Sequence, residues 1–215
     1  MSKERAIVEY LKNKYQPSAI LLHGSRAVSR ARANSDWDII MIFDRENKEK
    51  KHREQIAGES IEWKAFKLPI ESEDIIETFD LYLQFAKVLW EKDKVGASLL
   101  QKAAEEYSKG PNLSEDSIQG EKEFFEHKIL SMKDDEEMSY MFFRHLCVLF
   151  NLASRLWFEV LHNEYPKPYY LAFPIIKEKD STYHNQLMIL CSNIYSNDEK
   201  IASAEWISKR LFSKR

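Results

Sequence analysis

Two aspartates separated by a single residue, Asp36 and Asp38, are the first side chains whose spacing suggests chemistry. They stand at the start of an apolar run that predicts a β-strand, so both carboxylates point to the same face. Two carboxylates this close repel each other unless a positive charge lies between them. Mg²⁺ fits that position, because it binds a couple of carboxylates together with phosphate oxygens. An isolated Asp-x-Asp is more typical of a turn with solvated acids, so the pair needs further support.

A glycine and a serine, Gly24 and Ser25, directly follow a buried apolar run, Ala19–His23. Glycine allows the backbone to approach a ligand closely. If a helix begins here, its N–H groups and the Ser25 hydroxyl would face an anion. Arg26 and Arg30 add positive charge nearby. Taken alone, the Gly-Ser pair is better explained as an ordinary strand-to-helix turn.

A third acid, Glu62, lies within an alternating stretch, residues 60–66, that predicts a half-buried strand. Its side chain belongs either to the solvent face or to a site. Together with the turn and the two aspartates, it completes a pattern typical of phosphoryl or nucleotidyl transfer. In that chemistry, two metal ions bind the attacking and leaving oxygens, and the carboxylates hold the metals.

The elements that would position these residues are mixed in the first half of the chain. Its patterns predict helices at 3–13, 71–82 and 95–107, strands at 19–23, 37–43, 60–66 and 85–90, and a solvated loop or helix over the charged run 48–53. Gly and Pro in Lys109–Asn112 indicate a boundary. Beyond it, the sequence predicts helices at 115–132, 139–161, 182–195 and 198–212, with Pro166 and Pro168 as an interruption.

We therefore predict an α+β protein with two domains. Residues 1–109 would form a catalytic domain with a mixed β-sheet flanked by helices, and residues 112–215 an all-α helical bundle that binds the acceptor. The sequence leaves the order of the strands open.

Composition excludes several other classes of protein. The chain has 32 Lys and Arg against 35 Asp and Glu, a net charge of −3, which argues against a general nucleic-acid binder. No apolar stretch is long enough to cross a bilayer, and the N-terminus lacks a signal-peptide core. Cys147 and Cys191 lie in apolar surroundings, which predicts free, buried and inert thiols. We expect a cytoplasmic protein that does not bind membranes.

The three groups of site residues together resemble the signature of polymerase-β-like nucleotidyltransferases, hG[GS]…Dh[DE]h…h[DE]h. The matching residues are Gly24-Ser25, Asp36-Trp37-Asp38 and Glu62, and the resemblance covers about the first half of the chain. One departure is Val28-Ser29, which stands where many members have a second glycine.

The resemblance implies a role for each residue. Asp36 and Asp38 would hold two Mg²⁺ ions, and Glu62 would complete the metal site nearer the nucleophile. The phosphates of a nucleoside triphosphate would be bound by the residues of the turn, Gly24, Ser25, Arg26 and Arg30. The reaction implied moves a nucleoside monophosphate, which we expect to be AMP, to a hydroxyl group and releases pyrophosphate.

The second half is similar to the C-terminal domain of kanamycin-type aminoglycoside nucleotidyltransferases. Residues 121–126 resemble the acidic segment that carries their general base, which implies that Glu126 deprotonates the acceptor hydroxyl. The alternative is that Glu126 is a surface acid on an amphipathic helix. The similarity also implies a small hydroxylated acceptor such as an aminoglycoside- or lincosamide-like antibiotic, a role in antibiotic resistance, and a homodimer.

Two other functions remain open from the sequence. An antitoxin-type nucleotidyltransferase would transfer AMP to a protein, but such antitoxins are little more than a catalytic domain, so a helical half favours a small acceptor. A nucleotide-binding protein without transfer activity is the second alternative, and the presence of all three acids weighs against it.

Overall fold

The computed structural model describes residues 2–46, 50–72, 74–79, 81–134 and 140–213. The chain divides into two compact units, Met1–Ser108 and Lys109–Arg215. We call them the N-terminal and the C-terminal unit and describe each by itself.

The N-terminal unit is built around a mixed β-sheet. Its strands in the described residues are β1 (Ala19–His23), β2 (Trp37–Phe43), β3 (Lys51–Ile56), β4 (Glu59–Lys67) and β5 (Lys87–Glu91). They lie in the order β3-β4-β2-β1-β5, with β2 and β4 parallel and the other neighbours antiparallel. The central strands β1 and β2 are almost entirely buried, because both faces of the sheet are covered.

Helices cover the two faces of this sheet. They are α1 (Lys3–Tyr15), α2 (Gly24–Ala27), α3 (Ile75–Phe79) and α4 (Val95–Ser108), with a 3₁₀ turn at Tyr82–Phe85. Helix α1 packs on the face that contains Ile20 and Leu22, whereas α3 and α4 pack on the face that contains Leu21 and Ile40. This alternation follows from the two-residue period of a strand.

In the described residues of the C-terminal unit, all regular secondary structure is helical. Its helices are α5 (Glu115–Asp134), α6 (Tyr140–His162), α7 (Tyr169–Lys179), α8 (Ser181–Cys191) and α9 (Asn197–Phe212). Their apolar faces meet in one core around Trp157, Phe158 and Tyr183, and the Tyr183 hydroxyl donates a 2.9 Å hydrogen bond to the carbonyl of Ala153. In the part of the chain that is described, no helix is long and apolar enough to cross a membrane. The predicted α+β class is confirmed.

The prediction of a loop or helix over the charged run was wrong where the run is described. Residues 51–53 belong to strand β3, while residues 48 and 49 lie outside the described residues. The strand lies at the edge of the sheet and is mostly exposed, and charged side chains are what a solvated edge strand carries. The charge of this run reflected its exposure and not its secondary structure.

Three further predictions differ from the structure. Helix 71–82 is replaced by the short α3 and the 3₁₀ turn, and α8 ends at Cys191 rather than at 195. Helix α7 was missed, because the prolines suggested an interruption; Pro168 in fact stands at its N-cap, where a missing N–H costs little.

The prediction of buried thiols was also wrong. Cys147 and Cys191 are both free and both exposed. Cys147 lies on the outer side of α6 and Cys191 at the end of α8, so their apolar neighbours in sequence point elsewhere.

Candidate active site

Four charged or polar side chains form one row across the sheet. Strand pairing places Arg53 opposite Glu62, Glu62 opposite Asp38, and Asp38 opposite His23. Directly paired residues point to the same face of a sheet. The two carboxylates that the sequence placed on separate strands therefore lie on neighbouring parallel strands, about 4.8 Å apart in backbone spacing.

Gly24 brings the turn after β1 against the carboxylate of Asp38. Its φ is +69°, which favours glycine, and a Cβ at this position would lie 2.2 Å from Asp38 Oδ2. Asp38 thus fills the space that a side chain at position 24 would need. The Gly24-Ser25 turn and the aspartate pair, which were separate features in the sequence, belong to one site.

Two other carboxylates, Asp36 and Glu62, lie near Asp38. Burial, together with the charges of Asp36 and Glu62, raises the pKa of the Asp38 carboxyl to about 6. Asp36 directly precedes β2 and is partly exposed. A bound cation would relieve this repulsion, because it favours the ionised carboxylates.

Glu62 is held by two cations from the edge strand. Lys51 Nζ lies 3.0 Å from Glu62 Oε1, and Arg53 Nε donates a 2.6 Å hydrogen bond to Glu62 Oε2. These contacts lower the pKa of the Glu62 carboxyl, so it is ionised at neutral pH. Lys51 and Arg53 were missed as site residues, because the sequence did not reveal the strand that carries them.

Arg26 holds the segment that leads into β2. Its Nε donates a 3.0 Å hydrogen bond to the carbonyl of Asp36, its guanidinium also pairs with Glu59 at 3.2 Å, and it lies 4.8 Å from the centre of the Trp37 ring. Arg30, by contrast, has an exposed side chain, and its backbone N–H donates to the carbonyl of Ser25 at 2.9 Å. Binding of phosphate by Arg26 or Arg30 stays a prediction.

His23 closes the row on the side of β1. The imidazole is buried, which together with the nearby Lys64 charge lowers its pKa to about 4, so it is neutral at pH 7. Its ring lies 5.0 Å from that of Tyr82, and Lys64 Nζ lies 3.7 Å from the centre of the same Tyr82 ring. Lys64 follows Glu62 by two residues, and that spacing on a strand could have placed it on this face.

Glu126 lies on α5 in the C-terminal unit with an exposed side chain. It lines a cavity of about 370 Å³ together with Lys133, Glu205 and Lys209. Its role as general base stays a prediction.

The donor set fits a cation that shares its coordination with a substrate. No group of three or more His, Cys, Asp and Glu side chains in the described ranges is arranged to hold a metal ion alone. Asp36 and Asp38 supply two carboxylates, and Mg²⁺ typically takes one or two carboxylates and completes its shell with water and substrate phosphates. Glu62 also contacts Lys51 and Arg53, and its place in the metal site stays a prediction.

Two comparisons with known proteins bear on this arrangement. Residues 5–95 match the family model described as polymerase beta, nucleotidyltransferase. The fold resembles the crystal structure of a nucleotidyltransferase-like protein from Exiguobacterium sibiricum 255-15, with 10% identity and a TM-score of 0.51 over 99% of this chain and 75% of that chain. A search of curated proteins finds no match to the sequence. The family match supports a nucleotidyltransferase domain in the N-terminal unit, the structural likeness concerns the fold, and neither addresses the kanamycin-type resemblance.

Proposed function

We propose that the protein transfers a nucleoside monophosphate from a nucleoside triphosphate to a hydroxyl group of an acceptor, with Mg²⁺ as cofactor. The observation that carries this proposal is the contact between the Gly24 turn and the Asp38 carboxylate, in one row with Glu62. The match of residues 5–95 to a nucleotidyltransferase family supports the same chemistry.

Each residue then has a defined task. Asp36 and Asp38 would hold Mg²⁺, two ions by the resemblance, and the bound metal would offset charge that develops on the phosphates. Gly24 and Ser25 would bind the β- and γ-phosphates. Arg26 keeps Asp36 in place through its carbonyl.

The transfer itself balances as an in-line displacement. The acceptor oxygen forms a bond to the α-phosphorus, the bond from that phosphorus to the bridging oxygen breaks, and pyrophosphate leaves with the bonding electrons. The hydroxyl proton passes to a carboxylate, for which Glu126 is our candidate. Glu62 lies on the far side of Asp38 from the phosphate turn, and there it would orient the acceptor hydroxyl.

AMP transfer to a small molecule, an antibiotic among them, and a homodimer follow only from the resemblance to kanamycin-type enzymes. Light scattering of the purified protein would test the dimer, because a mass near 25.5 kDa would indicate a monomer.

The experiment that tests the function follows the label from α-labelled ATP or GTP. The protein is incubated with Mg²⁺ and a panel of aminoglycosides, lincosamides and sugar phosphates. Transfer to one acceptor should be lost in Asp38→Asn and retained in Asp44→Asn, which removes an exposed acid just beyond the other end of β2. Label on protein would favour the antitoxin-type alternative. Failure of Mg²⁺ and nucleotide to bind would contradict the proposal.

A further inference from the structure

Trp37 separates the two aspartates of the candidate site and points to the other face of the sheet. Strand alternation directs the side chain of Asp38 to the face that carries Glu62, and that of Trp37 to the face on which helix α1 packs. The Trp37 side chain is buried there, and its indole Nε1 donates a 3.2 Å hydrogen bond to Glu59 Oε2. The aspartate pair is therefore anchored through the face of the sheet opposite Asp38.

Glu59 connects Trp37 with Arg26. It is the first residue of β4, its side chain is 12% exposed, and the same Oε2 atom lies 3.2 Å from Arg26 Nη2. Arg26 in turn donates hydrogen bonds to the carbonyls of Ser35 and Asp36, at 2.5 and 3.0 Å. One carboxylate oxygen thus binds both the side chain that follows Asp36 and the guanidinium that binds the backbone of Asp36.

These contacts fix the peptide between Asp36 and Trp37. Arg26 binds the carbonyl oxygen of this peptide, and Glu59 binds the side chain of the residue that follows it. The directions in which the carboxylates of Asp36 and Asp38 leave the backbone depend on the orientation of this peptide. Ligands that are already oriented lose less conformational freedom when they bind a cation.

A further contact keeps Glu59 charged. Lys3, the first residue of α1, forms an ion pair with Glu59. The contacts with Lys3 and Trp37 lower the pKa of the Glu59 carboxyl, so it is ionised at neutral pH. An ionised acceptor forms a stronger hydrogen bond than a neutral one. The contacts of Glu59 with Trp37 and Arg26 are therefore charge-assisted.

From these contacts we propose that Glu59 is a positioning residue for the transfer reaction, which orients Asp36 and Asp38 for a divalent cation by acting through Trp37 and Arg26. The proposal rests on the proposed function, in which the two aspartates hold Mg²⁺. Removal of such outer partners of metal ligands typically lowers metal affinity or activity by about 10- to 100-fold. Glu59 should therefore affect metal binding although it lies on the face of the sheet opposite Glu62.

Glu54 provides a matched control, because its environment closely resembles that of Glu59. Its side chain is 10% exposed, it pairs with Lys14 of α1 at 2.8 Å, and it accepts a 3.0 Å hydrogen bond from Trp63 Nε1. The hydroxyls of Tyr10 and Tyr15 on α1 donate to the same carboxylate. Glu54→Gln therefore removes an equivalent charge on the same face of the sheet, from a carboxylate whose contacts named here are with α1 and Trp63.

Binding of Mn²⁺ measures the metal site without knowledge of the acceptor. Mn²⁺ takes the same oxygen ligands as Mg²⁺, and the free ion is measured by electron paramagnetic resonance. The full chain is titrated with Mn²⁺ in the presence of α,β-methylene-ATP, which cannot release pyrophosphate by this reaction. The test variants are E59Q, W37F and the two combined. W37F removes the indole N–H and keeps an aromatic ring beside Arg26.

We expect the dissociation constant for Mn²⁺ to rise about tenfold in E59Q and in W37F, and to change less than about twofold in E54Q. The effects of E59Q and W37F should not add in the double variant, because both substitutions weaken the same contact. Urea unfolding measures how far each variant is destabilised, and W37F alone decides the question if E59Q does not fold. Wild-type affinity in the test variants, or equal weakening in E54Q, would overturn the proposal.

Transfer kinetics provide a second readout, because a positioning residue changes the metal dependence more than the chemical step. In E59Q the Mg²⁺ concentration for half activity should rise about tenfold, while kcat at saturating Mg²⁺ stays within about threefold of the wild type. A low kcat at saturating Mg²⁺ together with wild-type Mn²⁺ affinity would overturn the proposal. Failure of the proposed function is recognised separately, because the wild type would then not bind Mn²⁺ with the analogue, or its affinity would survive Asp38→Asn.

Discussion

The carboxylate of Asp38 occupies the space that a side chain on Gly24 would need, since a Cβ there would lie 2.2 Å from Asp38 Oδ2. The backbone of Gly24 also has a φ of +69°, which favours glycine. One residue therefore reverses the chain after β1 and lets the turn contact the acid. The contact places the Gly24-Ser25 turn against the aspartate pair that we propose holds Mg²⁺.

We predict that Gly24→Ala destabilises the protein and removes transfer activity. The left-handed φ costs about 1 kcal/mol for alanine, and displacement of Asp38 adds about 1–2 kcal/mol. Gly58→Ala is the matched control, because Gly58 has a φ of +79° with nothing within 4 Å of its Cβ position. Urea unfolding and initial rates would measure both variants. Similar activity in the two would mean that the contact with Asp38 has no role in catalysis.

Asp38 should make stability depend on pH in the absence of metal. Its pKa is raised from 3.8 to about 6, so the folded state favours the protonated carboxyl. The resulting contribution to the free energy of unfolding is complete below pH 3.8 and is lost as the pH rises through 6. After solvent screening, the loss amounts to about 1–2 kcal/mol.

Unfolding of the wild type and Asp38→Asn at pH 5 and 8 would measure this effect. The free energy of unfolding of the variant should increase relative to that of the wild type as the pH rises. Mg²⁺ should stabilise the wild type at pH 8 and leave the variant unchanged, because the metal binds the ionised carboxylates of the native state. Equal stabilisation of both proteins by Mg²⁺ would place the metal elsewhere.

Substitution of Arg26 and of Arg30 by glutamine should have different effects on stability and kinetics. Arg26 donates to the carbonyl of Asp36 and pairs with Glu59, so Arg26→Gln should cost about 1–2 kcal/mol and raise the Mg²⁺ concentration needed for half activity. Arg30 is exposed, so Arg30→Gln should leave stability unchanged and raise only the KM for nucleotide. A rise in nucleotide KM alone for Arg26→Gln would make Arg26 a phosphate ligand instead.

The central strands could be predicted from sequence, because β1 and β2 are buried apolar runs whose composition leaves little choice of structure. The edge strand β3 could not, since its residues are charged and its place depends on pairing with β4. For the same reason, the sequence placed Asp36, Asp38 and Glu62 in one site but missed Lys51 and Arg53, which pair with Glu62. A sequence pattern depends only on neighbours along the chain. The register between strands decides which charged side chains lie opposite each other, and the sequence does not contain it locally.

Glu62 and Arg53 allow a test of whether the acid acts in catalysis or only in an ion pair. We expect Glu62→Gln to lower kcat by about 100-fold, within the range for loss of one electrostatic contact to the transition state. Arg53→Gln removes the partner and keeps the carboxylate, so kcat should change less than about tenfold. Steady-state kinetics at saturating nucleotide would measure both. An equal loss in the two variants would assign Glu62 a structural role.

Glu126 is tested by comparison with another acid of the same helix. If Glu126 accepts the hydroxyl proton, Glu126→Gln should lower kcat by about 100-fold or more, which is the usual contribution of a general base. Nucleotide binding should remain as in the wild type, because the base acts on the acceptor. Glu123→Gln is the matched control, since Glu123 is also exposed on α5 and differs from Glu126 by less than one helical turn. Single-turnover rates with a saturating acceptor isolate the chemical step from product release. If the two variants retain equal rates, Glu126 is a solvated surface acid and the proton leaves by another route.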